Sequence, residues 1–208
     1  MVRVNKTKDK ILDVAEVLFA EKGFNDTSLR AITSEAKVNL ASVNYHFGDK
    51  KTLVRAVIDR YLEAFMPAVG DELVQLNRQD SYSMKEVFES LRLPLLRLDE
   101  IHANGASRFM LLIGRGYTDV QGHLRWFITT RYSDVLNLFT ESIKKANPNL
   151  SSSDLFWRLH FTLGTCVFTM GSSQALAEIA FNDYGQTVDS NVLIDQLLPY
   201  LAAGVAAD

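Results

Sequence analysis

Apolar residues recur every three to four positions through almost the whole chain, which is the spacing of one face of an α-helix. In residues 8–22, for example, the repeat consists of Ile11, Val14, Leu18 and Phe19. No run of alternating residues is long enough to predict a strand. Pro occurs only 4 times in 208 residues, which suits long helices. The sequence therefore predicts an all-α protein.

Short turn sequences divide this pattern into separate predicted helices. Gly23 is expected to end the first helix in a left-handed conformation, and Thr27 is expected to cap a short second helix. Asn39 should cap a third helix, and Asp49 should cap a long fourth helix that Pro67 bends or ends. The third predicted helix covers residues 40–47, and the later ones cover 84–98, 106–115, 122–146, 154–180 and 190–206.

The composition is that of a globular protein, with 47% hydrophobic and 23% charged residues. The first residues have no apolar core, so we expect no signal peptide. No stretch approaches the roughly 20 uninterrupted apolar residues of a membrane span. The single cysteine, Cys166, cannot form an internal disulfide and fits a reducing compartment. We therefore expect a cytoplasmic protein with no membrane partner.

Charge is distributed unevenly along the chain, although the net charge is only -3. Residues 1–55 contain 10 Lys or Arg and 7 Asp or Glu, whereas the remainder contains 12 and 18. A mildly basic end on an acidic body is compatible with a protein that holds DNA by that end.

The second and third predicted helices are short and joined by a tight turn at Lys37 and Val38, which is typical of a helix-turn-helix. In that motif the later helix enters the major groove of DNA, so its outward side chains should be small or able to form hydrogen bonds. Val43 and Phe47 lie four positions apart and are expected to face the core. The residues expected to face outward are Leu40, Ala41, Ser42, Asn44 and Tyr45.

Two kinds of DNA contact follow from these residue types. Asn44 both donates and accepts, which suits the edge of an adenine. Tyr45 and His46 can reach phosphate oxygens, which position a protein without reading sequence. Lys50 and Lys51 lie in the first turn of the fourth helix, where the helix dipole disfavours cations. Nearby DNA phosphates would explain them, and so would ordinary solvated charges.

Three blocks of the head carry a resemblance to a known family: ILDVAEVLFAEKGF at 11–24, TSLRAI at 27–32 and VNYHFGDKKTL at 43–53. In this order they resemble the DNA-binding head of TetR-family repressors. The resemblance implies a helix-turn-helix domain at 1–50 and a helical ligand-sensing and dimerisation domain at 51–208. It also implies double-stranded operator DNA as a partner.

Carried over to the matching positions, the resemblance implies phosphate contacts from Thr27, Tyr45, His46 and Lys50. It implies base or groove contacts from Arg30, Leu40, Ala41, Ser42 and Asn44. Two residues depart from the family pattern. Lys37 replaces the glycine that is usual in the turn, and Asn44 replaces a frequent tyrosine or leucine.

A narrower resemblance is carried by VNLA at 38–41, QGHLR at 121–125, LFWRLHFTLG at 155–164 and DYG at 183–185. These segments are similar to PsrA-type regulators of fatty-acid degradation. The similarity implies a long-chain fatty acid, or its CoA thioester, as the ligand that releases the repressor from DNA.

A fatty-acyl site needs an apolar channel and one cation for the head group. Arginines beside apolar runs are candidate carboxylate partners, namely Arg108, Arg115, Arg125 and Arg158. The apolar residues expected to line the channel include Phe109, Trp126, Phe127, Phe156, Leu163 and Met170. Ordinary core packing would explain the same apolar stripes.

A homodimer is expected because operators read by this motif are usually pseudo-palindromic. Small residues that allow close helix approach recur at Gly164, Gly171 and Ala175. The last predicted helix carries a stripe of Leu193, Leu197 and Leu201. The family resemblance implies that the last two helices pair with those of a second copy, although packing within one chain would explain the same residues.

No constellation of catalytic residues is found. The four histidines are too scattered for a helical metal pair, and no phosphate-binding loop occurs. We expect no catalytic residues, no metal and no cofactor. Two alternatives to a fatty-acid-responsive repressor remain: a multidrug-sensing repressor of an efflux system, and a helical lipid carrier that does not bind DNA.

Overall fold

The computed structural model describes residues 6–119 and 122–207, and their regular secondary structure is helical throughout, which confirms the all-α prediction. Gln121 of the motif at 121–125 and the first five residues of the predicted head lie outside the described residues. The helices are α1 Lys6–Lys22, α2 Leu29–Glu35, α3 Leu40–Phe47, α4 Lys50–Leu76, α5 Met84–Glu89, α6 Arg92–Arg97, α7 Gly105–Asp119, α8 His123–Arg131, α9 Ser133–Ala146, α10 Ser152–Gly171, α11 Ser173–Tyr184 and α12 Ser190–Ala206, with a 3-10 turn at Leu98–Glu100.

The first three helices form a small head around buried apolar side chains. α1 packs against α2 and α3, and its Ile11, Ala15 and Phe19 are fully buried. Gly23 ends α1 with a φ of 85°, as predicted, and Phe24 packs edge-on against Phe19. The apolar core is continuous from this head into the rest of the chain.

α4 links the head to the remaining helices, which form the body. Asp49 caps α4 by accepting a hydrogen bond from the backbone N–H of Thr52 at 2.7 Å, as predicted. The helix then continues through Pro67 to Leu76, so of the two predicted effects of Pro67, bending or ending the helix, the ending does not occur. In the body, α4 packs against α6 and α9, α7 lies along α10, and α12 packs against α5 and α10.

Three helices predicted as continuous are divided in the structure. The predicted helix at 84–98 becomes α5, α6 and the 3-10 turn, the one at 122–146 breaks at Tyr132, and the one at 154–180 breaks at Ser172. At the second break the hydroxyl of Tyr132 donates to the Asp59 carboxylate at 2.6 Å, which ties the junction to α4. The apolar repeat continues across each break, so tertiary contacts decide where the helices end.

Candidate DNA-binding face and ligand cavities

α2 begins at a different cap from the one predicted. Ser28, not Thr27, accepts the hydrogen bond from the backbone N–H of Ala31. Thr27 is instead buried, and its hydroxyl donates to the carbonyl oxygens of Leu18 at 3.1 Å and Gly23 at 2.8 Å. The prediction of a Thr27 cap was wrong because two adjacent hydroxyl residues can both serve as a cap, and burial selected the second.

The turn between α2 and α3 closes despite the missing glycine. Lys37 adopts a φ of 52°, a left-handed conformation that most side chains disfavour. The backbone N–H of Val38 donates to the carbonyl of Thr33 at 3.0 Å. Asn39 then caps α3 by accepting a hydrogen bond from the backbone N–H of Ser42 at 2.8 Å, as predicted. The turn between α2 and α3 therefore closes with Lys37 in place of glycine.

α3 is anchored to the head through its inner face. Val43 and Phe47 are 0% and 5% exposed, as predicted for the core-facing pair. Tyr45 is 85% exposed and lies edge-on to the half-buried ring of His46. The remaining outward positions are exposed except for the half-buried Ser42, and they comprise Leu40, Ala41, Ser42 and Asn44. The structure thus brings together the side chains predicted to meet the major groove.

Polar groups from α2 and α4 flank this face. Arg30 is exposed on α2. The ammonium group of Lys50 donates to the carbonyl of Asn25 at 3.2 Å, which holds the first turn of α4 beside the head. The backbone N–H and the hydroxyl of Thr52 both hold the pKa of Asp49 below its usual value, so the cap stays ionised.

An apolar cavity of about 340 Å³ lies between helices of the body. Residues of α4, α5, α6, α7, α9, α10 and α12 line it, and Leu163 is the predicted ligand residue among them. Cys166 also lines it, and burial raises the pKa of that thiol to about 11. The aromatic lining residues were not predicted, because helical spacing alone does not separate a cavity wall from a filled core: Phe65, Phe88, Tyr117 and Phe139.

A second cavity of about 360 Å³ lies beside the first, between α4, α7, α8 and α9. The two share Tyr117 and Leu136 as lining residues, so these side chains form a common wall. Arg125 lines the second cavity. Within the part of the chain that the structure describes, neither cavity is lined by an Asp or a Glu.

The other predicted ligand residues do not line these two cavities, although Phe109 packs against Phe65 of the first, with ring centroids 5.7 Å apart. Arg108 donates to the Glu16 carboxylate at 3.1 Å, and Arg115 donates to the carbonyl of Glu21 at 3.4 Å. Phe109 stacks on Tyr61 with ring centroids 5.6 Å apart. The others are spread over different environments, with Met170 fully buried, Phe127 half-buried, and Trp126 and Phe156 61% and 45% exposed. Their ligand roles stay predictions.

Two family models match the chain. The model of the bacterial regulatory proteins of the tetR family matches residues 11–57, and the tetracyclin repressor-like C-terminal domain matches residues 89–204. The chain therefore belongs to the TetR family. Members of this family bind operator DNA and small-molecule ligands and are usually dimers. The chain is accordingly a DNA-binding transcription regulator and not an enzyme, and a lipid carrier without DNA binding is not retained as an alternative.

Individual relatives agree with this assignment. The negative transcriptional regulator IcaR of the biofilm operon icaADBC in Staphylococcus epidermidis is 24% identical over 64% of this chain and 69% of its own length. The probable HTH-type regulator YttP of Bacillus subtilis is 41% identical over 36% of each chain. A TetR-like regulator from Rhodococcus sp. RHA1 shares the fold, with a TM-score of 0.61 and 16% identity over 97% of each chain. The hemolysin II regulator HlyIIR has a TM-score of 0.60 with 18% identity over 95% of this chain and 97% of its own.

Two other kinds of functional feature are absent from the described residues. Among residues 6–119 and 122–207, no group of three His, Cys, Asp or Glu side chains could hold a metal ion. In the same part of the chain, no helix has the length and apolar character needed to cross a lipid bilayer.

Proposed function

We propose that this regulator is a ligand-released repressor, with a DNA-reading head at 1–50 and a sensing and dimerising body at 51–208. The observation that carries the proposal is the outer face of α3, because the buried Val43 and Phe47 anchor this helix to the head and its exposed side chains can meet a groove. The proposed boundary falls at the first turn of α4, which runs from the head into the body.

In the proposed complex, α3 enters the major groove. Asn44 reads a base edge, and the neighbouring Leu40, Ala41 and Ser42 pack against the groove with Arg30 from α2. Tyr45, His46 and Lys50 bind phosphates. Thr27 has the weakest support among the predicted phosphate contacts, because its hydroxyl already donates to two carbonyl oxygens.

The DNA contacts are tested with duplex DNA from upstream of the protein's own gene, over a range of salt concentrations. Lys50→Ala should weaken binding and lower the salt slope by about 1, because one phosphate contact is lost. Tyr45→Ala should weaken binding with little change in slope, because a phenol carries no charge at neutral pH. Lys85→Ala, on the exposed surface of α5, is the matched control. If both head variants bind like the control, the proposed face is wrong.

We further propose that the ligand is a long-chain fatty acid or its CoA thioester and that the target genes serve fatty-acid degradation. The PsrA-like segments suggest this ligand, and two adjoining apolar cavities support it. Each volume falls within the roughly 300–1,000 Å³ range of small-molecule sites. A sensor of cationic drugs would gain from acidic lining residues, and neither cavity has one among the described residues. The lipid is therefore preferred to the multidrug alternative.

Arg125 is the proposed partner of the ligand's acidic head group. The other three candidate arginines already donate to acceptors of this chain. Arg108 and Arg115 donate to Glu16 and Glu21 as described above, and Arg158 donates to the carbonyl of Val205 at 2.9 Å. Arg125 lines the second cavity, from which an acyl chain could extend past Tyr117 into the first.

The ligand proposal is tested by titrating the protein–DNA complex with oleate, oleoyl-CoA and a lipophilic cation such as ethidium. One of the two lipids should dissociate the complex and the cation should not. Leu163→Trp should abolish the response because the indole fills the cavity, and Arg125→Met should weaken it. Arg97→Met, on the exposed side of α6, should respond like the unmodified protein. Dissociation by the cation alone would instead support the multidrug reading.

We propose a homodimer formed through the outer faces of α10 and α12. The stripe of Leu193, Leu197 and Leu201 is not this surface, because Leu197 and Leu201 are 6% and 4% exposed inside the body. Large apolar side chains left exposed on these two helices support the proposal, since such patches mark interaction sites. They are Trp157, Phe161, Phe168 and Tyr200, and all are more than half exposed.

A further inference from the structure

Glu16 is a buried carboxylate at the junction of the head and the body. It lies on α1 and is 1% exposed, although an ionised carboxylate is costly to bury unless it is paired and hydrogen-bonded. The sequence did not predict this burial. Acidic residues within the block at 11–24 have different environments, and Asp13, three positions before Glu16, is exposed. The partners of Glu16 therefore need an explanation.

Those partners come from two other helices. From α4, a guanidinium nitrogen of Arg60 lies 3.1 Å from one carboxylate oxygen, and the Tyr61 hydroxyl donates to the other at 2.7 Å. From α7, Arg108 donates to the latter oxygen at 3.1 Å. Burial and the bond to Glu16 raise the pKa of Tyr61, so its hydroxyl stays a donor. One carboxylate thus joins α1, α4 and α7.

Two further ionisable side chains, Asp13 and His102, lie beside the cluster. The guanidinium nitrogen of Arg60 that contacts Glu16 also donates to the Asp13 carboxylate at 2.8 Å. The Nε2 atom of His102 lies 3.5 Å from a carboxylate oxygen of Glu16. The side chain of Arg108 is 33% exposed, in contrast to the fully enclosed Glu16. Because Arg108 is partly exposed, a movement of α7 can withdraw its guanidinium from Glu16 towards solvent.

α7 carries both this arginine and part of the wall of the ligand cavities. Met110 and Tyr117 line the first cavity, and Ile113 and Tyr117 line the second. A change in the cavities that shifts α7 along or about its axis also shifts the guanidinium of Arg108 against Glu16. The head then receives the change through α1 directly, and not only through α4.

We infer that Glu16 is a positioning residue that sets the orientation of the head on the body, and that Arg108 connects it to the state of the cavities. The role of Glu16 rests on the proposed DNA-binding function only. The role of Arg108 rests also on the proposed ligand response. Removal of either side chain should leave the head folded and its orientation loose.

The test measures the distance from head to body in the full chain. Spin labels are placed at Ser34→Cys on α2 and Glu141→Cys on α9 in a Cys166→Ser background, and labelled protein is diluted with excess unlabelled protein. Both labelled positions are exposed. Glu16→Gln and Arg108→Met should broaden or shift the distance distribution without loss of helix content, and Arg108→Lys should partly restore it. Arg92→Met, which removes an exposed pair with Asp195 on α12, should leave it unchanged.

Affinity for upstream DNA provides the second readout. Glu16→Gln and Arg108→Met should each weaken binding by roughly 5- to 150-fold, the range of typical coupling free energies, and the double variant should be little worse than either. Unchanged distances and affinities in folded variants would overturn the inference, as would equal broadening in Arg92→Met. If Glu16→Gln does not fold, Arg108→Met decides alone. Broadened distances together with no response of the unmodified protein to oleate or oleoyl-CoA would remove the proposed ligand and keep the role of Glu16.

Discussion

Lys37 adopts a left-handed backbone conformation that suits its side chain poorly. A left-handed conformation costs an ordinary L-residue roughly 1–2 kcal/mol, and glycine avoids most of that cost. Lys37→Gly should therefore raise the free energy of unfolding by up to about 1 kcal/mol, after the greater freedom of glycine in the unfolded chain is subtracted. Urea denaturation measures the change. Lys37→Val should lower stability, and a loss of stability in Lys37→Gly would contradict the account.

Cys166 lines the first cavity, and its thiol should be poorly reactive in the folded protein. Burial raises the pKa of its thiol to about 11, and the thiolate is the reactive form. The folded protein should therefore react with a disulfide reagent at pH 8 far more slowly than the unfolded protein. A ligand in the cavity that Cys166 lines should slow the reaction further. A rate equal to that of a free thiol would show that the side chain is accessible.

Single-residue predictions from sequence succeeded where the local chain decides. The caps at Asn39 and Asp49 and the left-handed Gly23 follow from turn chemistry, and the structure confirms them. The prediction of a Thr27 cap was wrong because the Thr27 hydroxyl donates to the carbonyl of Leu18 in α1, nine residues earlier in the chain. A contact of that kind is set by packing and leaves no local signal.

At the scale of helices, Gly105 allows the start of α7 to approach the 3-10 turn. A Cβ atom at this position would lie 1.9 Å from the carbonyl oxygen of Leu98, so the backbone would have to move. Gly105→Ala should therefore lower the free energy of unfolding by about 1–3 kcal/mol. Gly204→Ala in α12 meets nothing within 4 Å and should instead add about 0.5–1 kcal/mol from helix propensity. Thermal unfolding of both variants checks the opposite signs.

The contact between α4 and α8 should respond to pH. The Nε atom of Arg55 donates to Nδ1 of His123 at 3.3 Å, which requires that nitrogen to be unprotonated. Burial, followed by the charges of Arg55 and Lys51, lowers the pKa of His123, and Asp49 opposes them weakly. The unfolded chain then takes up the proton first, so this contribution to stability is complete above about pH 6.5 and declines as the pH falls below it.

His123→Gln provides the comparison for that pH dependence. The unfolding midpoint of the unmodified protein should fall more steeply between about pH 7 and pH 5.5 than that of the variant, because glutamine does not titrate in this range. Parallel pH profiles would mean that His123 is not the group responsible.

The helix boundaries show where sequence reasoning stops at this scale. The apolar repeat predicted the existence of nearly every helix, yet it ran unbroken through Tyr132 and Ser172. A helix can change direction there without any change in which residue types face the core. Only a partner from elsewhere, such as Asp59 for Tyr132, marks the break.

For the whole molecule, the proposed dimer gives a direct test. Phe161 is 66% exposed on α10, and Phe161→Glu should convert the dimer to a monomer because a carboxylate would be buried at the interface. Light scattering after size-exclusion chromatography measures the mass. The affinity for an operator with two half-sites should also fall when the dimer is lost. Leu93→Glu on α6, 47% exposed in the monomer, is the control and should remain dimeric. A monomeric control, or a dimeric Phe161→Glu, would relocate the interface.

The overall organisation was more predictable than its interior. A helical head followed by a helical body follows from the apolar repeat and the turn sequences, and the family models confirm the class. Most of the cavity lining was not predictable, because Phe65, Phe88 and Phe139 would be equally suited to a filled core. Whether helices leave space between them depends on their mutual angles, which a repeat in one chain does not encode.

The anchoring of α3 by two residues has a consequence for how such a regulator can change. Val43 and Phe47 hold the helix to the head, so the exposed positions between and beside them contribute little to folding. Substitutions there are expected to leave stability within about 0.5 kcal/mol. Substitutions on this face can therefore change the preferred operator sequence without altering the structure of the sensing body. The outer surface of this helix can accordingly be exchanged between regulators as a module.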